Sequence, residues 1–404
     1  MSLSERVFGV TNPREVWLIS GAHGVNEFYS VAIPPILPLV VADFGISYGE
    51  AGVLLTVFFV TYSMFQLPAG MLADRVGQRW LLAVGMVVLA IGVVAAAVAQ
   101  RYETLLFAQA LGGIGGSTYH PSGMSLISDL EQGPTEGKAM GIHGLGGVVG
   151  TALAPALIGG VAVLADWRTA LAVAAVVGIV YAVGFLALFR DIDFGDTPSR
   201  TDGGSRQPGS WWTQLADRIT VPLERWVAVL FITNLAIATQ IGAVRTFTTS
   251  YLVDAAGLST TVANGIFFIT LIGAGVSSLG GGLLADSVDR SRLGIALMVG
   301  AGVVFLATGF VPQHPVILVG WFFVLGMIVW AAVPTMNALT SSYSERSFSG
   351  SLFGVMLTAG SIGSAGGPLL FGIAAEQIGI RPAFAVIAGV SAVGALAFLA
   401  VSRL

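Results

Sequence analysis

Twelve runs of apolar residues, each about 20 residues long, set the strongest constraint on how this chain can fold. A helix of that length crosses the hydrocarbon core of a bilayer and satisfies its own backbone hydrogen bonds there. Only 10% of the 404 residues are charged, against about 25% in soluble proteins, which excludes a soluble globule. We therefore predict an all-α integral membrane protein with spans at residues 16–41, 49–72, 80–99, 104–128, 138–164, 169–189, 226–252, 260–285, 293–311, 315–341, 349–375 and 382–402.

The basic residues predict how these spans are oriented. If the N-terminus is cytoplasmic, fourteen Lys and Arg residues lie on the cytoplasmic side, and only Arg101, Arg168 and Arg381 lie on the other. Basic residues concentrate in the cytoplasmic loops of membrane proteins. The N-terminus also lacks the pattern of a signal peptide. We expect a multi-pass protein of the plasma membrane with both termini cytoplasmic.

The longest loop divides the chain into two six-helix bundles, 1–190 and 225–404. The intervening residues 191–224 are rich in Asp, Gly, Ser and Pro, a composition typical of a flexible cytoplasmic linker. Its second part, 211–219, carries two adjacent Trp residues and is suited to form a helix on the membrane surface.

A charged turn occurs once in each bundle. Gly70-Met71-Leu72-Ala73-Asp74-Arg75-Val76-Gly77-Gln78-Arg79 returns as Gly282 to Arg292, with Asp74 and Asp286 separated by 212 residues. Six spans separate the copies, so the bundles have the same orientation and are parallel repeats. The turn alone fits a basic membrane anchor, but its recurrence favours a cytoplasmic latch that closes one face. The predicted gating residues are Gly70, Asp74, Arg75, Gly77, Arg79, Asp286, Arg290, Gly150 and Pro155. The glycines of the fifth span favour close helix packing, and packing of that span against the opposite bundle would form a sliding interface.

These motifs resemble those of the major facilitator superfamily. The stretch 70–79 is similar to the signature between helices two and three, with a departure at Gln78, and Gly141 to Gly159 is similar to the antiporter signature of helix five. Gln109 stands where many proton-coupled drug exporters carry Arg. Residues 119–123 and 23–27 resemble the fosmidomycin-resistance group. The resemblance implies the twelve-helix major facilitator fold, alternating access and drug:proton antiport.

Ionisable residues inside the spans are the best candidates for chemistry, because such groups are costly in the bilayer and usually functional. His23 and Glu27 lie four residues apart and share a helix face beside Asn26. His120, next to Tyr119, and His143 lie at a similar depth in the fourth and fifth spans. These side chains predict one polar layer in the N-terminal bundle.

The repeat supplies an internal control for this layer. The positions equivalent to His23, Glu27, His120 and His143 are Leu235, Thr239, Val333 and Met356, none of which is titratable at neutral pH. A layer that only stabilised the fold would also be expected in the second bundle, although a buried hydrogen-bond network remains an alternative. Burial raises the pKa of a carboxyl group towards neutrality, and histidine titrates near neutral pH. Both kinds of group can therefore exchange protons at neutral pH. We predict that Glu27, assisted by the histidines, carries a proton in exchange for substrate.

The C-terminal bundle offers fewer polar candidates. Arg245 is the basic residue that lies inside a span, where it either faces the cavity, attracting an anionic substrate or pairing with Glu27, or reaches the outer surface. Other candidates for the cavity wall are Asn234, Gln240, Trp330 and Asn337. Prolines are expected to interrupt the first span at 34–38 and to break the fourth and tenth at Pro121 and Pro334.

We expect a monomeric secondary transporter that exports a small amphipathic or anionic compound in exchange for protons, without a cofactor and without nucleic acid as a partner. Alternatives are proton-coupled uptake by symport and divalent-metal transport through the His and Glu residues. An intramembrane enzyme is disfavoured, because the chain has no Cys, no His-Glu-x-x-His and no nucleotide-binding loop.

Overall fold

The computed structural model of the protein describes residues 9–189, 224–343 and 349–403. The side chains of Asp74, Pro134, Leu279, Asp286 and residues 349–351 are outside this description. The predicted linker with its surface helix therefore lies almost entirely outside the described residues. We call 9–189 the N-terminal half and 224–403 the C-terminal half.

The N-terminal half consists of helices joined by short turns, as the apolar runs predict. Its elements are α1 (Pro13–Ser30), a 3-10 turn (Pro34–Ile36), α2 (Leu37–Phe44), α3 (Tyr48–Val76), α4 (Gln78–Ala97), α5 (Tyr102–Gly116), α6 (Tyr119–Leu130), a 3-10 turn (Gly133–Thr135), α7 (Glu136–Leu164) and α8 (Trp167–Leu188).

The C-terminal half has the same character. Its elements are α9 (Arg225–Ser250), a π-helical turn (Tyr251–Ala255), α10 (Thr260–Ser287), α11 (Arg290–Thr308), α12 (Pro315–Ser342), α13 (Ser349–Ile378) and α14 (Ile380–Val401). Over the described residues, 11 helical segments are long and apolar enough to cross a membrane. The twelfth predicted span is formed by α5 and α6 together, so the predicted all-α membrane fold is confirmed.

Prolines interrupt two spans but leave a third intact. The first span breaks after Ser30 and resumes at Pro34, and the fourth breaks at Ser117 and Thr118, shortly before Pro121. The prediction of a break at Pro334 is wrong, because α12 continues through it. Gly281 of α10 lies directly beside this proline ring and leaves room for it.

Local sequence signals define where the helices start and stop. Ser47 and Glu50 form a reciprocal capping box at the start of α3. Gly77 separates α3 from α4 with a φ of 89°, a backbone conformation that only glycine adopts readily. The charged turn is therefore a tight corner between two spans.

Glycines allow α1 and α7 to approach closely within the N-terminal half. A side chain at Gly150 would overlap the carbonyl of Gly24, so these two helices touch backbone to backbone. Gly150 therefore packs within its own half, while α7 as a whole also contacts α10 of the opposite half, as expected for the fifth span. Farther along α7, Gly159 does face the other half, against the amide of Asn264. Pro155 is buried inside the continuous α7.

The two halves contact each other at the end of the bundle opposite to the chain termini. Tyr48 Oη donates to Asp254 Oδ2 at 2.5 Å, and Asn264 Nδ2 donates to the carbonyl of Pro35 at 3.0 Å. Nearer the termini, Met64 of α3 is 67% exposed and Leu357 of α13 is 68% exposed. Both line a cavity between the halves, which is therefore open on the side of the termini.

Candidate functional site

The polar layer of the N-terminal half is assembled around the imidazole of His23. One helical turn separates His23 from Glu27 on α1, and α6 and α7 bring His120 and His143 to the same place. The ring of His23 stacks on that of His143 with centroids 4.2 Å apart and on that of Tyr119 at 5.0 Å. The ring of His120 meets it edge-on at 5.4 Å. The structure thus gathers three histidines that are distant in sequence.

Hydrogen bonds define the tautomers of two of these rings. A carbonyl only accepts, so the 2.9 Å contact between His23 Nδ1 and the carbonyl of His143 requires Nδ1 to carry a proton. The hydroxyl of Tyr119 donates to the carbonyl of Ile19 at 2.9 Å, so it accepts from His143 Nδ1 at 3.2 Å. His23 and His143, when neutral, therefore keep Nε2 as their free acceptor.

The carboxylate of Glu27 lies between two groups that can carry positive charge. Its Oε1 is 3.9 Å from His120 Nε2, and its Oε2 is 3.4 Å from Arg245 Nη2. Hydroxyl groups of Ser30 and Thr151 also lie within 3.5 Å of Oε2. The side chain is 19% exposed, so a small aqueous species can reach it.

Arg245 comes from α9 of the opposite half and faces the cavity. Its Nη2 donates to the hydroxyl of Ser30 at 2.9 Å as well as to Glu27. Its Nε is buried without a hydrogen-bond partner. Of the two placements that the sequence leaves open, the structure shows the one beside Glu27. An ion pair therefore joins the two halves in the middle of the molecule.

Two cavities meet at this layer. The first is polar, has a volume of about 220 Å³ and is lined by His23, Glu27, Thr151, Arg245, Ser278 and Trp330. The second is mostly apolar, has a volume of about 860 Å³ and lies between α3, α6 and α13, with Met64, Met124, Leu357, Ile362 and His120 in its wall. His120 lines the apolar cavity and approaches Glu27 of the polar one, so the two spaces are adjacent.

The remaining predicted site residues are distributed less evenly. Asn26 is buried and donates to the hydroxyl of Tyr62 at 3.1 Å. Asn234 donates to the carbonyl of Met356 and so braces α9 against α13. The prediction that Gln240 lies in the cavity wall is wrong: it is fully buried and contacts Met298 inside the C-terminal half. Asn337 is exposed on α12, outside the lining of the polar cavity.

Sequence reasoning missed four polar residues of the site, namely Ser30, Tyr62, Thr151 and Ser278. Ser30 follows Glu27 by three residues and shares its helix face, so the spacing was a usable signal. Thr151 lies one turn after Gly147 on α7, and Tyr62 belongs to an apolar stretch of α3. Small hydroxyl groups commonly bond to their own helix backbone, as Thr151 also does to the carbonyl of Gly147 at 2.9 Å. Sequence alone cannot separate the two roles.

The described residues of the charged turns contact their own halves. Arg79 donates to the carbonyl of Leu186 at 2.6 Å, and Arg290 donates to the carbonyl of Ala338 at 3.1 Å. Arg75 is exposed, and Gly70 faces Pro121. The side chains of Asp74 and Asp286 lie outside the described part of the chain, so the latch stays a prediction.

The histidines and Glu27 also have the spacing of a metal site. One ligand atom from each of His23, Glu27 and His120 lies within 4.8 Å of the others. The guanidinium of Arg245, 3.4 Å from the same carboxylate, opposes the addition of a divalent cation.

Comparison with known sequences shows what the chain is similar to. The sequence profile of the Major Facilitator Superfamily matches residues 17–283 and 230–403. Multidrug resistance protein MdtG of Dickeya zeae is 28% identical over 90% of this chain and 88% of its own length. The fosmidomycin resistance protein of Escherichia coli is 31% identical, over 34% of each chain. A probable L-galactonate transporter of Escherichia coli is 29% identical over 37% of this chain and 33% of its own.

Solved structures agree with the fold. A bacterial homologue of the human lysosomal transporter Spinster, in an inward-facing and unoccupied conformation, superposes with a TM-score of 0.83 over 100% of this chain and 98% of its own, at 15% identity. A mutant of the nucleoside transporter NupG gives a TM-score of 0.80 over 96% of this chain and 99% of its own, also at 15% identity. At such identities the likeness establishes the fold alone.

Proposed function

The chain belongs to the Major Facilitator Superfamily, and on that premise we propose that it is a proton-coupled secondary transporter that exports a small amphipathic compound in exchange for protons. Membership of this family makes the protein a multi-pass membrane transporter and not an enzyme. The observation that supports proton coupling is the position of Glu27, whose carboxylate pairs with Arg245 of the opposite half at 3.4 Å.

Protonation of Glu27 changes how the two halves interact. The ionised carboxylate attracts Arg245 across the interface, and the neutral acid does not. A proton therefore favours the conformations in which the two residues are apart, and its release favours those in which they are together. Alternating access follows if the cavity faces opposite sides of the membrane in these two sets of conformations.

The histidines provide a route between Glu27 and water. His120 lines the large cavity that opens toward the termini, and its Nε2 is 3.9 Å from Glu27. His23 keeps an acceptor nitrogen in the same cavity as Glu27, while His143 and Tyr119 hold its ring in place. We assign His120 and His23 to proton transfer, and His143, Tyr119 and Asn26 to positioning.

Exchange requires that substrate and proton exclude each other. A compound whose polar end donates hydrogen bonds to the Glu27 carboxylate meets this condition, because a proton removes its acceptor. Its apolar part fits the 860 Å³ cavity between α3, α6 and α13. The names of the MdtG and fosmidomycin-resistance relatives favour export over uptake. The charged turns, including Asp74 and Asp286, would then close the cytoplasmic side, with both termini in the cytoplasm and the monomer as the working unit.

Transport by reconstituted protein tests this proposal. A panel of antibacterial compounds that includes fosmidomycin is assayed in proteoliposomes with and without an imposed pH gradient. Wild-type protein is expected to accumulate at least one compound against its gradient only when the pH gradient is present, and Glu27→Gln is expected to abolish that accumulation.

Glu103→Gln is the matched control, because Glu103 is an exposed acid in the first turn of α5. It is expected to transport like wild type. Accumulation by Glu27→Gln that still follows the pH gradient would overturn the proposal. Uptake in the opposite orientation, with the same dependence on Glu27, would replace export with symport.

A further inference from the structure

We infer that the charge of the substrate sets the sense of coupling at this site: an organic anion that binds Arg245 travels together with the proton on Glu27, and exchange against protons is confined to compounds that need the ionised carboxylate. The inference rests on the proposed role of Glu27 as the proton site. It refines the expected substrate class, because a small anion and a proton antiporter do not fit this geometry together.

The guanidinium of Arg245 is shared between two possible partners. It now contacts Glu27 Oε2 at 3.4 Å and the hydroxyl of Ser30 at 2.9 Å, both through Nη2. Its Nε is buried and has no partner. A guanidinium presents its donors in a planar fork suited to carboxylates and phosphonates. An unused buried donor beside a polar cavity of about 220 Å³ is a suitable anchor for a small anionic group.

Anion and proton assist each other at such a pair. When Glu27 is ionised, it neutralises Arg245 and repels an incoming anion. When Glu27 is protonated, the positive charge of Arg245 is left for the anion. Conversely, an anion on Arg245 removes the attraction that keeps Glu27 ionised, so Glu27 binds its proton more readily. Thermodynamic linkage requires the two effects to be equal.

A cationic or hydrogen-bond-donating compound has the opposite relation to the proton. It binds the carboxylate itself and is displaced when the carboxylate is protonated. The same residue pair thus yields symport for anions and antiport for donors. No rearrangement of the site is needed to change from one to the other.

The other titratable groups around Glu27 also make proton binding favour anion binding. His120 of α6 and His23 of α1 face the carboxylate, and His143 of α7 stacks on His23. Protonation of any of these rings adds positive charge and so also favours an anion. Tyr62 and Tyr119 are neutral near physiological pH, and the lining residues of α10 and α12 include Ser278 and Trp330, which do not titrate.

Matched probes of opposite charge test the inference on the purified full-length protein. Phenylacetate and phenethylammonium have the same apolar group, and so do hexanoate and hexylammonium. Affinity is obtained from the rise in melting temperature with probe concentration, between about pH 6 and pH 8. Anion affinity is expected to improve, by up to about tenfold per pH unit, as the pH falls. Ammonium affinity is expected to weaken over the same range.

Three variants separate the contributions. Arg245→Gln is expected to lose anion binding and keep ammonium binding. Glu27→Gln is expected to keep anion binding with a much smaller pH dependence. Arg168→Gln is the control, because Arg168 pairs with Asp43 at the other end of the N-terminal half. In this variant the affinities for anions and for ammonium compounds are expected to change with pH as in wild type.

Two results would overturn the inference. One is anion affinity that improves as the pH rises, and the other is failure of both anions to stabilise the wild-type protein at any pH. Failure of the proposed function looks different. In that case anion affinity still improves as the pH falls, but it does so equally in Glu27→Gln. The proton site would then be a residue other than Glu27.

Discussion

The two halves of the molecule use the same backbone carbonyl as an acceptor but differ in the side chain that donates to it. In the N-terminal half, His23 of α1 donates to the carbonyl of His143 on α7. In the C-terminal half, Asn234 of α9 donates to the carbonyl of Met356 on α13, at the position that the repeat makes equivalent to His143. The donor is a titratable ring in one half and, one position away in the repeat, an amide that does not titrate in the other. The accepting carbonyl is common to both halves, whereas the titratable groups of the proposed proton site lie in one half.

The glycines show which features the halves share. Gly150 lets α7 touch α1, and its repeat partner Gly363 lets α13 touch α9, with a side chain at Gly363 falling 2.6 Å from the carbonyl of Leu235. Both contacts lie within their own halves. Helix packing is therefore duplicated, whereas the polar layer is not. Substitutions at equivalent positions in the two halves can therefore distinguish effects on helix packing from effects on the polar layer.

The largest loss of stability is expected at the shared glycines. Gly150→Ala and Gly363→Ala each force a methyl group into a neighbouring backbone and should cost roughly 1–3 kcal/mol, with Gly150→Ala at the upper end. The measurement is the melting temperature and yield of the purified protein. Gly160→Ala and Gly366→Ala are the controls, because open space surrounds both positions, and these variants should be as stable as wild type or slightly more so. Equal stability of all four variants would show that the close helix contacts are wrong.

The next largest effect is a loss of transport that should differ between equivalent positions in the two halves. A methyl group at Gly147 would lie 2.5 Å from the His23 ring, whereas one at the equivalent Gly360 would lie 3.4 Å from the Asn234 amide. Gly147→Ala should therefore displace the imidazole and reduce proton-driven transport by roughly tenfold or more. Gly360→Ala should reduce it far less. Similar losses in the two variants would contradict a one-sided polar site.

A smaller effect is expected from Tyr119→Phe. Its hydroxyl bridges His143 and the carbonyl of Ile19, and the equivalent residue in the C-terminal half is Ala332. Loss of the hydroxyl removes these hydrogen bonds and should cost about 1 kcal/mol, read as a lower melting temperature. Because the bridge also orients His143 beside His23, the pH profile of transport should shift. A changed stability with an unchanged profile would make Tyr119 purely structural.

The smallest effect concerns the start of α1. Glu131, after α6, accepts from the backbone N–H groups of Thr11 at 2.9 Å and Asn12 at 2.5 Å. Burial alone would raise the pKa of Glu131, but these hydrogen bonds hold it below its ordinary value of 4.5. Such a carboxylate stabilises the fold above pH 4.5, and the gain is lost as the pH falls through the lowered pKa. Glu131→Gln should be less stable by about 1 kcal/mol at neutral pH, and this difference should vanish in acid. A difference that persists in acid would assign the loss to packing.

The sequence predicted the architecture well because membrane insertion leaves few alternatives. Long apolar runs must be helices, and the paired motifs around Asp74 and Asp286 revealed the repeat. Glu27 and the histidines were also identifiable, since ionisable groups in lipid need a reason to be there. Failures occurred where neighbours decide the outcome. Pro334 does not break α12 because Gly281 accommodates its ring, and Gln240 points into its own half because Met298 receives it.

Arg245 illustrates the limit from another direction. Its position on α9 allowed either a cavity-facing or a surface-facing side chain. The local sequence of a helix does not determine which of its faces meets the other half of the protein. Only the packing of the two halves brings it to Glu27. The sense of coupling that we propose rests on that contact and could not be predicted from either residue alone.

The most direct test of the central claim measures whether a proton on Glu27 moves the two halves. The chain contains no Cys, so Met64→Cys and Leu357→Cys introduce a unique pair of spin labels across the cavity between α3 and α13. Distances are measured by double electron–electron resonance between about pH 5 and pH 8, with and without Glu27→Gln. The proposal predicts two distance populations whose ratio changes with pH in the parent protein and stays constant when Glu27 is replaced by Gln. The same pH-dependent change in both proteins would contradict it.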